Sequence, residues 1–326
     1  MTPRALTALG IVSAAGTGWD ALRAGLRGET EAFRAPQWAT AGAALVAAAH
    51  DFDAKTLLGD KGLRNADRIT RLLLVAGRLG LTDAGIKRDG AFVAYAPDTV
   101  GVVASTAYGS LEAIRELDRV AQLEDPRYLN PARFPNTVIN SASGNVSIWE
   151  DLQGLNATVT NGPTGGLDAF GCADTLLATG RAQALLVGGA EALSESLCLG
   201  MARLDALDRA PATWGPGRPE STGLRLGEGA ALLCLEDLAA ARQRGATVWA
   251  AVSGYGTANV APDDDDAPLV RPSAEALALA IGDALRDAGL SGDAVDVVVS
   301  GMSGHPGLDA PERAAIDAAL GTRVAV

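Results

Sequence analysis

The residues best placed for chemistry surround a glycine-rich turn near the middle of the chain. Residues 157–160 favour a β-strand, the sequence NGPTGG follows at 161–166, and 167–179 has the apolar periodicity of a helix. Many α/β enzymes hold a nucleophile where a strand turns sharply into a helix, because the helix N-terminus favours a thiolate or oxyanion. Here the apex is Pro163, with no cysteine, serine or lysine. The absence of a nucleophile at this turn is the main indication of function.

The other residues whose side chains could take part in catalysis or metal binding are spread along the chain. Cys172, Cys198 and Cys234 lie in apolar contexts without CxxC spacing, which predicts buried thiols and neither a disulfide framework nor a metal site. His50, in the segment AAHDFD, is interpreted as structural. The acidic run at 263–266 is interpreted as solvated surface, with a calcium site as the lesser alternative.

The elements that must position these residues alternate along the chain, which predicts α/β layers. A strand–helix–strand order recurs from about residue 248, which favours a duplicated architecture. Strands are predicted at 5–12, 100–104, 157–160, 184–187, 229–236, 248–255, 295–299 and 323–326, and helices at 20–26, 65–84, 110–123, 141–148, 167–179, 238–244, 273–288 and 310–320.

Composition and net charge indicate which classes of partner are disfavoured. The chain has 326 residues, 48% of them hydrophobic, and a formal net charge of −12, so nucleic acid and anionic membranes are disfavoured as partners. The N-terminal segment is too polar for a signal peptide, and no apolar run approaches the ~20 residues needed to span a bilayer. We therefore expect a cytoplasmic protein with no membrane partner.

The order of segments resembles the β-ketoacyl synthases of fatty-acid and polyketide assembly. The resemblance rests on LTALGIVSAAG, VGVVASTAYGSLE, FPNTVINSASGN, TVTNGPTGGLDAFGCADTLLATGRAQALLVGGAEAL, RLGEGAALLCLED and VDVVVSGMSGHPGLDAPERAAIDAALG, which together cover nearly the whole chain. It implies a thiolase-like α/β fold with two duplicated βαβαβ halves in a layered αβαβα arrangement. The halves would be residues 1–227, with a dimer-interface insert at about 105–150, and residues 228–326, short relative to the family.

The resemblance also implies which catalytic positions to inspect. Synthases of this family join an acyl thioester to a malonyl thioester with one cysteine and two histidines, and the family motifs imply neither a cofactor nor a metal. When Gly166-Leu167-Asp168-Ala169 is aligned with the family turn, the cysteine position is Pro163. The first histidine position is Gly301, and His305 lies four residues later; the segment of the second histidine would follow Val326. Condensation by this chain alone is therefore not expected.

Family members without the nucleophile commonly pair with an active synthase, as chain-length factors do in type II polyketide systems. The resemblance implies an active ketosynthase as partner in a heterodimer, with the acyl carrier protein contacted indirectly through that partner. Candidates for lining the acyl tunnel, or for merely filling the interface, are Phe134, Thr137, Val138, Ile139 and Asn140; the strand expected to pair across the two-fold axis includes Thr158, Val159 and Thr160.

Two departures from the chain-length factors leave alternatives open. Those proteins typically carry a glutamine linked to malonyl decarboxylation, and Pro163 cannot act in that way. The short second half predicts an exposed apolar edge and poor solubility without a partner. An enzyme with altered acyl-transfer or hydrolytic chemistry, using Ser300, Ser303 or His305, remains an alternative, as does a purely structural or vestigial protein.

Overall fold

The computed structural model describes residues 2–38, 45–261 and 272–326, so the acidic run at 263–266 lies outside the described residues. The strands in this part of the chain are β1 (Arg4–Ser13), β2 (Gly16–Thr17), β3 (Lys87–Arg88), β4 (Ala91–Phe92), β5 (Val100–Ser105), β6 (Asn156–Val159), β7 (Ala184–Glu191), β8 (Gly229–Asp237) and β9 (Ala250–Val252). The α-helices are α1 (Trp19–Leu26), α2 (Ala54–Leu58), α3 (Arg68–Asp83), α4 (Leu111–Leu123), α5 (Ser141–Glu150), α6 (Gly165–Ala178), α7 (Glu195–Arg203), α8 (Leu238–Gln243), α9 (Ala274–Ala288) and α10 (Pro306–Leu320).

Seven strands form one mixed sheet in the order β2-β1-β8-β7-β5-β6, with β9 also paired to β1. Strand β5 runs parallel to both β6 and β7, whereas β8 is antiparallel to β7 and β1. Parallel neighbours need long crossover connections, and helices α4, α5 and α6 supply them. Strand β6 is the last strand on its side, so one of its edges is unpaired in the described structure.

Helices cover both faces of this sheet. Side chains alternate along the central strands, so that Val102 and Leu186 face the cluster that includes α3. Val103 and Val187 face the opposite cluster, which includes α6. A sheet covered on both faces explains why these strands read as continuous apolar runs. The predicted α/β class is confirmed.

The C-terminal part is mainly helical in the described residues. Helices α9 and α10 pack together around Ile281, Leu285, Ile316 and Leu320. The strands predicted at 295–299 and 323–326 were wrong, because this segment pairs only through a single bridge between Val297 and Ala325. A strand needs a neighbour to complete its hydrogen bonds, and apolar composition alone does not supply one.

The prediction at 248–255 was too long, since only Ala250–Val252 pairs with β1. Strands β8 and β9, although they follow residue 227, lie in the same sheet as β1. The division into halves at 227/228 stays a prediction. Among the described residues, no helix has both the length and the apolar content to cross a bilayer.

Candidate functional site

The turn after β6 has the predicted strand–turn–helix geometry. Gly162–Thr164 form one turn of 3₁₀ helix, with Gly162 at φ +63°, and α6 begins at Gly165. Pro163 is exposed at this point. Gly165 packs against the end of β5, where an added Cβ would lie 3.2 Å from the Ser105 Cβ atom. The structure thus presents a proline where the helix dipole could have stabilised a thiolate.

Asp168, in the first turn of α6, fixes this turn to the later part of the chain. Its carboxylate accepts hydrogen bonds from the Tyr255 hydroxyl (2.6 Å), the Thr164 hydroxyl (2.8 Å) and the Asn161 amide (3.0 Å). Burial alone would raise the pKa of Asp168, but these hydrogen bonds together outweigh it and hold the pKa below its ordinary value. The carboxylate is therefore a structural acceptor that is ionised at neutral pH.

The loop that carries the degenerate histidine position is held by a second carboxylate. Asp309 is buried and accepts from the backbone N–H groups of Gly217 (2.8 Å), Ser303 (2.8 Å) and Gly304 (2.9 Å). Gly301 donates its own N–H to Glu312, 2.6 Å from Oε1. These bonds tie the loop to α10 and to the 215–217 segment.

The residues named for altered chemistry have structural contacts. His305 is the N-cap of α10, with its Nδ1 accepting a hydrogen bond from the Gly307 N–H at 3.1 Å. The Ser303 hydroxyl lies 3.3 Å from Asp309. His305 Nδ1 is therefore occupied as an acceptor, and no base is shown beside Ser303 other than this structural carboxylate. Nothing in the geometry assigns a role to Ser300.

The three cysteines are free thiols, and the prediction of burial holds for two of them. Cys198 and Cys234 are buried and Cys172 is half-buried. Burial raises the pKa of each thiol. No cluster of histidine, cysteine and carboxylate suited to a metal occurs in the part of the chain that the structure describes.

The tunnel and interface candidates lie at the β6 end of the sheet. The Phe134 side chain is 65% exposed, and Val138, Ile139 and Asn140 are also exposed. The Thr137 hydroxyl donates to the Phe134 carbonyl at 2.8 Å. On β6, Thr158 and Val159 are half-buried, whereas Thr160 lies just beyond the end of the strand.

Further apolar side chains are exposed on the elements that pack around β6. Ile148 of α5 is 82% exposed and Leu167 of α6 is 70% exposed. Thr158 joins β6 to α5, since its hydroxyl lies 2.7 Å from that of Ser143. We call Phe134, Val138, Ile139, Ile148 and Leu167 the edge face. Exposed apolar groups beside an unpaired strand are typical of a surface that another chain covers.

Ile139 lies next to two cavities. It lines a cavity of about 10 Å³ with Ile69, Ser105 and Thr158. Its Cδ1 atom also packs onto Gly109, where an added Cβ would lie 2.8 Å away. Gly109 and Ile69 in turn line a cleft of about 500 Å³. Ile139 is thus the edge-face side chain that lines the small cavity and packs onto Gly109, a residue of the cleft wall.

Sequence reasoning missed this cleft. Its walls come from the starts of α3 and α4, from the segment after β7, and from Arg133. The sequence contains recognisable N-cap residues for these helices. Whether the helix N-termini lie at one cleft depends on the order of the strands in the sheet. No signal in a single sequence gives that order.

Comparison with known proteins agrees with the fold. A family model, the β-ketoacyl synthase N-terminal domain, matches residues 13–241. The chain is 32% identical over 332 aligned positions to 3-oxoacyl-[acyl-carrier-protein] synthase 2 of Coxiella burnetii, covering 97% of this chain and 77% of that protein.

Solved structures are similar over almost the whole chain. The ishigamide ketosynthase/chain length factor superposes with a TM-score of 0.89 at 25% identity, covering 99% of this chain and 79% of that one. AntDE:AntF, a type II polyketide acyl-carrier protein in complex with its ketosynthase, has a TM-score of 0.84 at 22% identity, covers 99% of this chain and 78% of that one, and supports the fold alone. These neighbours confirm the thiolase-like fold. The family model spans more than half of the chain, and the chain belongs to the β-ketoacyl synthase family.

Proposed function

We propose that this chain is a non-catalytic ketosynthase-like subunit that pairs with an active β-ketoacyl synthase in type II polyketide or fatty-acid-like biosynthesis and shapes its acyl tunnel. The observation that carries the proposal is Pro163 at the start of α6. Proline provides neither a nucleophile nor an N–H group at the position where the family's cysteine would attack a thioester. Gly301, at the first histidine position, provides no side chain either.

Pairing with an active subunit is supported by the edge face. A chain without catalytic activity can retain an exposed apolar surface beside β6 when a partner subunit covers that surface. The ishigamide relative is described as a ketosynthase/chain length factor, which is an arrangement of this kind. The acyl carrier protein would then be contacted mainly through the active partner, because a chain of net charge −12 repels an acidic carrier.

Control of chain length is assigned to Ile139. An acyl chain that enters from the edge face would meet Ile139, which lines the small cavity beside Thr158 and packs onto Gly109. The size of this side chain would set how far the growing acyl chain extends. Phe134, Thr137, Val138 and Asn140 would line the outer part of the same path.

The proposal is tested by co-expressing the chain with an intact ketosynthase of a type II system. We expect the two to co-purify and to make product with a carrier protein and malonyl thioester, whereas this chain alone makes none. Ile139→Ala should lengthen the product and Ile139→Phe should shorten it. Leu290→Ala, which trims an exposed apolar residue after α9, serves as the control and should leave product length unchanged.

Two results would contradict the proposal. Condensation, acyl transfer or thioester hydrolysis by the purified chain would favour the enzyme with altered chemistry. Failure to associate with any ketosynthase, with no change of product across the Ile139 variants, would favour a structural protein. No contact in the described residues favours the first of these, since His305 Nδ1 is an N-cap acceptor and Ser303 is bonded to Asp309.

A further inference from the structure

The cleft of about 500 Å³ is separate from the degenerate catalytic positions. None of residues 161–168 or 300–306 lines it. It opens between the starts of α3 and α4, beside the segment that follows β7 and the segment that carries Arg133. Its chemistry is therefore independent of the lost nucleophile.

Three helices begin at this cleft. The N-cap residues Asp67 of α3, Ser110 of α4 and Ser194 of α7 all line it. These helices have 16, 13 and 9 residues, long enough for each to carry a partial positive charge at its N-terminus. Each of these N-termini contributes partial positive charge beside the cleft.

Arginine side chains add to that potential. Arg64, Arg71 and Arg133 line the cleft together with Arg68. Arg68 is already neutralised by Glu228, 2.6 Å away. Arg64 and Arg133 are exposed and have no ion-pair partner among the described residues. Two cations are thus available to a ligand.

The acidic side chains of the cleft are mostly paired. Glu112 pairs with Arg115 at 3.0 Å, and Glu116 pairs with Arg119 at 3.5 Å, both along the exposed side of α4. Asp67 uses one carboxylate oxygen to cap α3, accepting the Thr70 N–H. Among the described residues that line the cleft, Arg64, Arg71 and Arg133 have no carboxylate partner, and Asp67 is the one carboxylate without a cation partner.

Unsatisfied polar atoms concentrate on the same turn of α3. In the described chain, four buried side-chain N or O atoms lack a hydrogen-bond partner, and three of them are Asp67 Oδ2, Thr70 Oγ1 and Arg71 Nε. Arg71 donates only to the Leu63 carbonyl, at 3.0 Å from Nη2. Buried polar groups without partners are costly and rare. Thr70 Oγ1 and Arg71 Nε can donate hydrogen bonds to an oxyanion, whereas Asp67 Oδ2 can only accept and would not contribute to binding one.

We propose that this cleft binds a small molecule carrying a phosphate or carboxylate group, held by Arg64, Arg71 and Arg133 at the N-termini of α3, α4 and α7. The guanidinium fork matches both oxyanions in a bidentate manner. Arg133 precedes Phe134 of the edge face, so the bound anion would fix the segment that carries the tunnel candidates to α3. The ligand would thereby order the interface segment without taking part in condensation.

The test is thermal unfolding of the full chain with inorganic phosphate and, separately, malonate, each at constant ionic strength balanced with sodium chloride. We expect a saturable rise in Tm with an apparent Kd of about 1 mM or tighter. The double variant Arg64→Gln/Arg133→Gln should raise the apparent Kd at least tenfold. Arg127→Gln is the matched control, because Arg127 is an exposed arginine that pairs with Asp125 outside the cleft.

Each outcome decides the proposal. A stronger response to phosphate would identify a phosphate ester as the ligand class, and a stronger response to malonate would identify a carboxylate; both support the site. No saturable response, or equal weakening by Arg127→Gln, would overturn it. Arg64 and Arg133 are exposed, so an unchanged Tm without ligand checks that the variants fold. The assay uses neither a partner nor a product, so its failure would leave the proposed function untouched.

Discussion

Pro163 occupies a position whose backbone tolerates proline. The first residues of a helix have N–H groups without intrahelical partners, so the missing N–H costs little there, and the fixed φ of proline suits the start of a helix. Under the proposed function, proline at this position removes the chemistry of the turn while leaving its fold intact. Gly162 supplies the positive φ of the turn, and Gly165 allows it to pack closely against Ser105.

We predict that Pro163→Cys restores a reactive thiol without restoring condensation. The N-terminus of α6 should lower the pKa of this thiol, so that alkylation by iodoacetamide at pH 7 is several-fold faster than for a typical exposed cysteine. Thr179→Cys is the matched control, because it places an exposed thiol at the opposite end of the same helix. Native Cys172 should react slowly, since burial raises its pKa. Equal rates for the two new thiols would contradict the prediction, and so would condensation by Pro163→Cys alone.

At the scale of the element, the loop before α10 has become a structural connection. Asp309 gathers N–H groups from the loop and from Gly217, and His305 caps the helix. A buried carboxylate bound by several N–H groups stabilises one loop conformation strongly.

Asp309→Ala should destabilise the chain by about 3 kcal/mol, because several buried N–H groups would lose their charged acceptor together. Urea unfolding followed by circular dichroism measures this. Asp317→Ala in the same helix is the control, and should cost no more than about 0.5 kcal/mol because its ion pair with Arg313 is partly exposed. A loss below 1 kcal/mol for Asp309→Ala would show that the loop does not depend on this carboxylate.

Helices and central strands could be predicted from sequence because their apolar patterns are local. The helix predicted at 273–288, for example, was identified by its Ser273 cap and Gly289 terminator, and both are observed. Predicted strands failed where an apolar segment has no neighbouring strand beyond a single bridge, as at Val297. The same limit hid the Asp168–Tyr255 hydrogen bond, which joins residues 87 positions apart. Local pattern predicts elements, whereas the contacts of the site depend on topology.

At the scale of the molecule, the apolar edge face and the negative net charge together determine which partner can bind. An exposed apolar surface on a chain of net charge −12 favours one specific partner over self-association, because like-charged copies repel while the buried apolar area gains free energy. The partner would have to be less acidic or carry complementary basic groups near the interface.

Ile148→Asp should therefore weaken association with a ketosynthase partner at least tenfold, which corresponds to about 1.4 kcal/mol. Analytical ultracentrifugation of the mixed subunits measures this. Leu290→Asp places the same charge at an exposed apolar residue outside the edge face and should have no effect. Equal weakening by both variants would mean that net charge, and not the edge face, controls pairing.

The position of β1 in the sheet determines when this protein can complete its fold during synthesis. Arg4 pairs with Asp237, so the first strand made must wait for a partner that lies 237 residues along a chain of 326. The parallel unit of β5, β6 and β7 lies within residues 100–191 and can assemble earlier. Until β8 leaves the ribosome, α3 lacks one of the strands on which it packs, and apolar side chains stay exposed. Chaperones recognise such exposed apolar surface. Before β8 is made, β1 thus has only the two-residue strand β2 as a neighbour.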